Sequence, residues 1–343
     1  MRLLRYCFCA FALASTVKAA DPALLERVPA GSGVLIGVNI DRISSTRIGQ
    51  AIYSQMQVQS RDFTGIAGNA EFELVRGIRE ILIAGPAGNQ QNRAVMLIRG
   101  TFTPAGLKAL AAGTAESSFQ GIRIFTGQQR QQPFSVAILD DGLLLGGSPQ
   151  AVRSAVARRG LPGSPDPVLT ARAREMNESY DVWFVARTSL AELARQAPQP
   201  QFGALAGSLE KSIQQIGVGL KFGPTLQLAV DVVARTDKDA VAVENAIRML
   251  IGLALSGKNA QEIKPVLDKL QFRVEANTVK LDLEIPEDHV MAAMEKVSAG
   301  RARAAAGSTE VVIQGSDPAN TGVTIQSSPR DMGVVTLPAP KPQ

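Results

Sequence analysis

Along residues 279–285, Val279, Leu281, Leu283 and Ile285 alternate with Lys280, Asp282 and Glu284, and along 226–232 Leu226, Leu228, Val230 and Val232 alternate with Gln227 and Asp231. A period of two sends apolar side chains to one face of a strand and polar ones to the other, as in antiparallel sheets with one dry face. Elsewhere the strand signal is a short continuous apolar run bounded by turn residues. Such runs are VLIGVNI (34–40), EILIAGP (80–86), RAVMLIRG (93–100), IRIFTG (122–127), FSVAIL (134–139) and LLLGG (143–147) in the first half. In the second half they are DVWFVAR (181–187), QIGVGLKF (215–222), LQLAVDVV (226–233), QFRVEA (271–276) and VKLDLEI (279–285).

Helical spacing fills the gaps. A helix is predicted over 45–56, and another opens at Thr103-Pro104 and runs to Gly113, because a Thr oxygen accepts from first-turn amides and Pro at the first position forfeits no bond. Asp140-Asp141-Gly142 reads as a hairpin turn. Ser148-Pro149 then opens a closing helix, QAVRSAVARR, that ends at Gly160. After a Pro-rich break the order repeats, with helical stretches near 189–196 and 208–214, a long helix from Asp237 to Ser256 and a closing helix over 287–297. Gly85-Pro86 and Gly223-Pro224 join matching strands, and the offset between halves is roughly 140 residues, a domain-sized period.

The sequence therefore predicts an α+β fold of two similar domains, each a mostly antiparallel sheet with helices packed on one face. The expected boundaries are 1–19 for a signal peptide, 20–160 for the first repeat, 161–176 for a linker and lead-in helix, 177–298 for the second repeat, and 299–343 for a disordered tail rich in Ala, Gly, Ser, Pro and Thr. MRLLRYCFCAFALASTVKAA has the basic start, apolar core and small-residue end of an export signal, with cleavage expected after Ala19. Its apolar core is half the roughly 20 residues a membrane span needs.

Composition narrows the function classes. The two cysteines, Cys7 and Cys9, both lie in this leader, so no thiolate chemistry is expected of the processed chain. Loss of Arg2, Arg5 and Lys18 would lower the formal net charge by three, from +5 to +2, which is no nucleic-acid footprint. One Trp and three Tyr leave little surface for stacking on sugars or bases.

The nearest approach to a chemical motif is IGLALSGKN (251–259), with Gly252, Gly257 and Lys258 spaced like a phosphate-binding loop. That loop needs a strand before it and a helix after it. Here Val243, Ala246, Ile247, Leu250 and Ala254 recur at helical spacing, so the stretch reads as a helix end with Gly257 as its left-handed cap and Asn259 opening the next turn. Gly31-Ser32-Gly33 precedes its strand, which excludes a dinucleotide fingerprint. Gly146-Gly147-Ser148-Pro149 is read as a tight turn into a capped helix. His289, the sole histidine, is read as a solvated helix-start residue, and Trp183 as core. Asp140 and Asp141 are assigned to the hairpin, and Asp237 and Asp239 to a helix start. No catalytic, cofactor-binding or metal-binding residue is assigned.

The stretches LLERVPAGSGVLIGVNIDRISSTRIGQAI and LQFRVEANTVKLDLEIP resemble a loose class of uncharacterised secreted bacterial proteins with a duplicated α+β domain. The resemblance implies export and duplication and no catalytic residues. The expectation is an exported, non-catalytic binding or assembly module of the cell envelope, periplasmic or extracellular, without cofactor and without a membrane span after cleavage. Its expected partner is another envelope or secreted protein, presented to loops at 55–69 and 196–207. The alternatives are an exported hydrolase using inter-domain carboxylates and a carrier of an apolar ligand.

Overall fold

The computed structural model describes residues 22–52, 54, 76–87, 93–129, 132–158, 166–187, 212–256 and 260–306. The predicted leader, the loops at 55–69 and 196–207, the helical stretch at 189–196 and most of that at 208–214, the Gly257-Lys258-Asn259 turn and the tail from 307 lie outside the described residues. The elements follow in the order α1 (Pro22–Leu25), β1 (Val34–Asn39), α2 (Ile40–Ser44), β2 (Ile78–Gly85), β3 (Val95–Gly100), α3 (Pro104–Ala111), β4 (Ala115–Phe119), β5 (Ile122–Gln129), β6 (Gln132–Asp140) and β7 (Leu143–Gly147). Then come α4 (Pro149–Ala157), α5 (Pro167–Ser179), β8 (Val182–Ala186), β9 (Ile213–Lys221), β10 (Thr225–Ala234), α6 (Asp237–Leu255), α7 (Ala260–Leu267), β11 (Gln271–Glu275), β12 (Thr278–Pro286) and α8 (Glu287–Ala306). Residues through Glu287 belong to one compact unit and α8 beyond it to a second.

The fold is α+β, but where the sequence predicts a sheet in each half, the twelve described strands form a single antiparallel sheet in the order β11-β12-β10-β9-β8-β1-β2-β3-β7-β6-β5-β4. The halves meet at β1 and β8, whose pairing is symmetric about Ile36↔Phe184, with Val34↔Ala186 on one side and Val38↔Val182 on the other. The backbone repeats the symmetry: Asn39 N–H donates to Asp181 O at 2.7 Å and Arg187 N–H to Gly33 O at 2.8 Å. Outward from this pair the order is β1-β2-β3-β7-β6 in one direction and β8-β9-β10-β12-β11 in the other, with β5 and β4 added to the first.

Two adjacent rows of side chains show how the sheet is covered. One row runs Ile124, Ala137, Leu145, Leu97, Leu82, Gly37, Trp183, Gly219, Ala229, Asp282. Its apolar members from Ile124 to Trp183 pack with Leu24 and Leu25 of α1, Val152 and Val156 of α4, and Leu169, Ala173 and Met176 of α5 in one core. The neighbouring row, on the other face because successive residues alternate, includes Ile36, Phe184, Val218, Val230, Leu281 and Phe272. From Phe184 outward it packs with Ala240, Val243, Ala246 and Ile247 of α6 in a second core. Helices thus cover both faces of the one sheet, and the expectation of cover on one face is corrected. The reason is in β10 and β12, whose dry side faces α6 while the other carries Asp231, Lys280 and Asp282.

Other elements depart from expectation more locally. The helix predicted over 45–56 is α2 followed by helical residues 47–52. Asn39 ends β1 and its side chain accepts from Arg42 N–H at 2.9 Å, which starts α2 earlier than the apolar spacing suggests. Strand β4 (AESSF) was not expected, since it lacks apolar alternation; Gln120 and Gly121, both at positive φ, fold it onto β5 in a two-residue turn. The lead-in helix placed in 161–176 is α5, which continues to Ser179 and lies against β8, β9 and β1. The closing helix α8 reaches Ala306, into the segment from 299 expected to be disordered.

Helix α5 sits close because glycines face its aromatic neighbours. A Cβ on Gly37 would lie 2.2 Å from Trp183 Cε2, and one on Gly219 would lie 2.4 Å from the Tyr180 ring. Trp183 is buried and its indole N–H donates to Asn177 Oδ1 at 2.8 Å, so the ring is both packed and satisfied. At the C-terminus of α5, Arg42 Nη1 donates to the carbonyls of Asn177 (3.1 Å) and Tyr180 (3.4 Å) and faces Asp181 at 3.8 Å. Asp181 in turn accepts from Phe222 N–H at 2.8 Å, tying the end of β9 to the same corner. Asp166 caps the other end of α5, accepting from Val168 N–H (2.9 Å) and Leu169 N–H (3.2 Å), and pairs with Arg187.

Two outcomes follow from this packing. Gly37→Ala forces the sole tryptophan off its seat and should destabilise by about 1–3 kcal/mol, read as a lower urea midpoint at unchanged slope by tryptophan fluorescence. At Asp166, partial desolvation raises the carboxyl pKa, but the Leu169 and Val168 amides and Arg187 outweigh it, so the net shift is downward from 3.8. A depressed carboxyl pKa contributes stability above its unfolded value that is lost as pH falls through the folded value. Asp166→Asn keeps a capping acceptor but removes the charge; its melting temperature should fall less than the wild type's on acidification below pH 3.8, as calorimetry would show.

Candidate functional site

At one end of the sheet, the turn before β1, the end of β2 and the start of β3 lie beside α4 and line an open groove of about 290 Å³. Its first wall is the turn Pro29-Ala30-Gly31-Ser32, where Ser32 N–H donates to Pro29 O at 3.2 Å and Gly31 has φ +79°. That positive φ at the third position is the type II turn for which glycine is suited. The Ser32 hydroxyl also donates to Pro29 O, at 2.8 Å, and Gly33 N–H donates to Gly85 O at 2.8 Å, fixing the turn onto the end of β2.

The second wall is α4. Ser148 caps it, its hydroxyl accepting from Ala151 N–H at 3.2 Å, and Pro149 opens its first turn. Ala151, Val152 and Val156 are buried against the sheet, which turns Gln150, Ser154 and Arg158 along the groove at a four-residue spacing. Arg93 stands across from them, just before β3. Among the described residues, the formally charged ones lining the groove are these two arginines.

The residues weighed from the sequence are distributed elsewhere. Ile251 to Leu255 are the last residues of α6, so the first part of the apparent phosphate loop is helix. Gly31 and Ser32 belong to the groove as its turn, while Gly146 and Gly147 end β7 and lead into the capped α4, as predicted. Asp140 Oδ1 accepts from Gly142 N–H at 3.0 Å in the hairpin turn. Asp239 accepts from the hydroxyls of Thr236 (2.8 Å) and Ser212 (2.9 Å), and these bonds, Thr236 first, lower its pKa from 3.8. His289 is exposed near the start of α8. Among the described residues no group of three or more His, Cys, Asp or Glu is placed to hold a metal ion, and no helix is long and apolar enough to cross a membrane.

The sequence analysis missed Arg93 and Arg158 as neighbours. Ser154 and Arg158 could be placed on one helix face by spacing alone, but Arg93 joins them only because β3 pairs with β7, which feeds α4.

No protein-family model matches the chain, and no curated protein matches it. Among solved structures, the chain is similar to crystal form III of TP0453, with a TM-score of 0.49 and 12% identity over 76% of this chain and 93% of that one. It is also similar to crystal form IV of TP0453, with a TM-score of 0.47 and 13% identity over 79% and 95% of the two chains.

Proposed function

We propose that this chain is an exported, non-catalytic binding or assembly module of the cell envelope, built from a duplicated α+β unit. The carrying observation is what the polar groups do. Asp140, Asp166, Asp181 and Asp239 each accept hydrogen bonds within a turn, a cap or a strand end. Among the described residues, the lining of the groove includes two arginines and no carboxylate pair of the kind a hydrolase would use. The mirrored strand order and the paired Asn39–Asp181 and Arg187–Gly33 bonds support the duplication. Export rests on the leader MRLLRYCFCAFALASTVKAA.

Fractionation of the native host combined with in-cell crosslinking and mass spectrometry tests this. The expected result is a processed chain outside the cytoplasm, crosslinked reproducibly to another envelope or secreted protein. A chain that stays cytoplasmic with its leader intact, or that crosslinks to nothing, overturns the proposal.

A further inference from the structure

Helix α6 packs one face on the sheet and leaves the opposite one to solvent. Ala240, Val243, Ala246 and Ile247 belong to the second core, whereas Lys238, Val241, Asn245, Met249, Gly252 and Ser256 are exposed. The exposed positions recur at intervals of three and four, so they form one stripe along the helix. Val241 and Met249 are 51% and 52% exposed, large apolar side chains where a helix packed on one side ordinarily carries polar ones. The neighbouring cation, Arg248, is turned aside from the stripe, pairing with Glu244 at 2.7 Å and lying 4.4 Å from the Phe272 ring centroid.

Gly252 is a second, independent observation on the same stripe. It lies inside α6, where glycine weakens a helix, and among the described residues a Cβ added there would meet nothing within 4 Å. The packing of those residues therefore does not require the missing side chain. A helix laid across the stripe does require it, because bare backbone leaves a hole into which a facing side chain fits. The stripe also matches itself when turned end for end. Val241 then comes over Gly252, Asn245 beside Met249, and Lys238 beside the last turn, where its charge meets the negative end of the helix dipole.

We propose that α6 docks against α6 of a second copy of this chain, antiparallel about a two-fold axis, with Val241 of each copy seated over Gly252 of the other. The inference goes beyond the envelope role and does not depend on it. Sedimentation velocity of the full processed chain over a range of concentrations should show a monomer–dimer equilibrium. Gly252→Leu fills the hole while improving the helix, so its dimer dissociation constant should rise at least about tenfold, yet its melting temperature under monomeric conditions should equal or exceed that of the wild type. Val241→Glu should weaken the dimer as much. Val168→Glu, at a side chain 54% exposed on α5, should dimerise as the wild type does.

The register has its own test. Both cysteines of the chain, Cys7 and Cys9, precede the expected cleavage point, so a processed chain carrying Val241→Cys and Gly252→Cys has no other thiol. Positions 241 and 252 lie about 16 Å apart along one helix, beyond the roughly 7 Å that a disulfide bridges, so oxidation links them only between copies. A disulfide-linked dimer is expected with the double variant and not with Val241→Cys alone. Circular dichroism confirms that each variant folds. A wild type that stays monomeric, a dimer that survives both Gly252→Leu and Val241→Glu, or a double variant that does not crosslink overturns the inference. Binding of vesicles or of another protein by a monomeric chain gives α6 a different occupant and overturns it equally, leaving the envelope role to its own test.

Discussion

Everything in the sheet depends on the pairing of β1 with β8. Five register pairs join them, and both strands are apolar on both sides: Leu35 and Val185 are buried in one core, while on the other face Phe184 packs against the second core and Ile36, its partner in register, is half-buried. A strand apolar on both faces cannot sit at an exposed edge without leaving apolar surface and unpaired amides in water. Joining the two half-sheets at these strands removes both problems at once. The contact at their centre is tight, because Gly37 gives up its side chain to the Trp183 ring, whose indole N–H is held by Asn177 of α5. A helix that begins at the Asp166 cap and ends under Arg42 is thereby fixed across the seam between halves.

Local signals in the sequence were legible because they depend on few residues. The Asp140 hairpin, the Ser148-Pro149 start of α4 and the Asp237–Leu255 span of α6 follow from turn chemistry, capping and apolar spacing, and they stand where those rules place them. The joining of the sheets was less legible. The alternation in β10 and β12 suggests a sheet wet on one face in each half, yet those strands lie near one edge, where one face is wet. The continuous runs VLIGVN and VWFVA carried the opposite message, of interior strands covered on both faces, and sequence alone does not say which runs pair. The groove was less legible still, since Arg93 and Arg158 belong to elements brought together by the β3–β7 pairing.

The two halves share a strand order but not a surface. On the face where α4 packs over β3, β6 and β7, the first half presents Leu97, Ala137 and Leu145. The corresponding strands of the second half present Asp231, Lys280, Asp282 and Arg273 on that face, joined by pairs such as Arg172–Asp231, Arg273–Asp282 and Lys280–Glu275. The exposed pairs among them, Arg273–Asp282 and Lys280–Glu275, each contribute about 0–1 kcal/mol, so they do little for stability. Their consequence is exclusion: a helix with the apolar face of α4, carrying Ala151, Val152 and Val156, would strand those charges if it covered them.

That asymmetry bears on why a groove accompanies α4. The groove needs a roof helix held down by an apolar strand face, an opening turn before the first strand and a cation arriving with the third. The first half has all three in Val152 and Val156, in the Pro29-to-Ser32 turn, and in Arg93. The second half keeps the strand order but replaces the apolar seat with ion pairs, so the same backbone plan cannot hold a roof in the same place. The mirrored strand order therefore gives one half a concave groove beside α4 and the other a face of mixed charge. The two halves differ in which face of each half-sheet is dry, and that is set by alternate residues of β3 and β7 on one side and of β10 and β12 on the other.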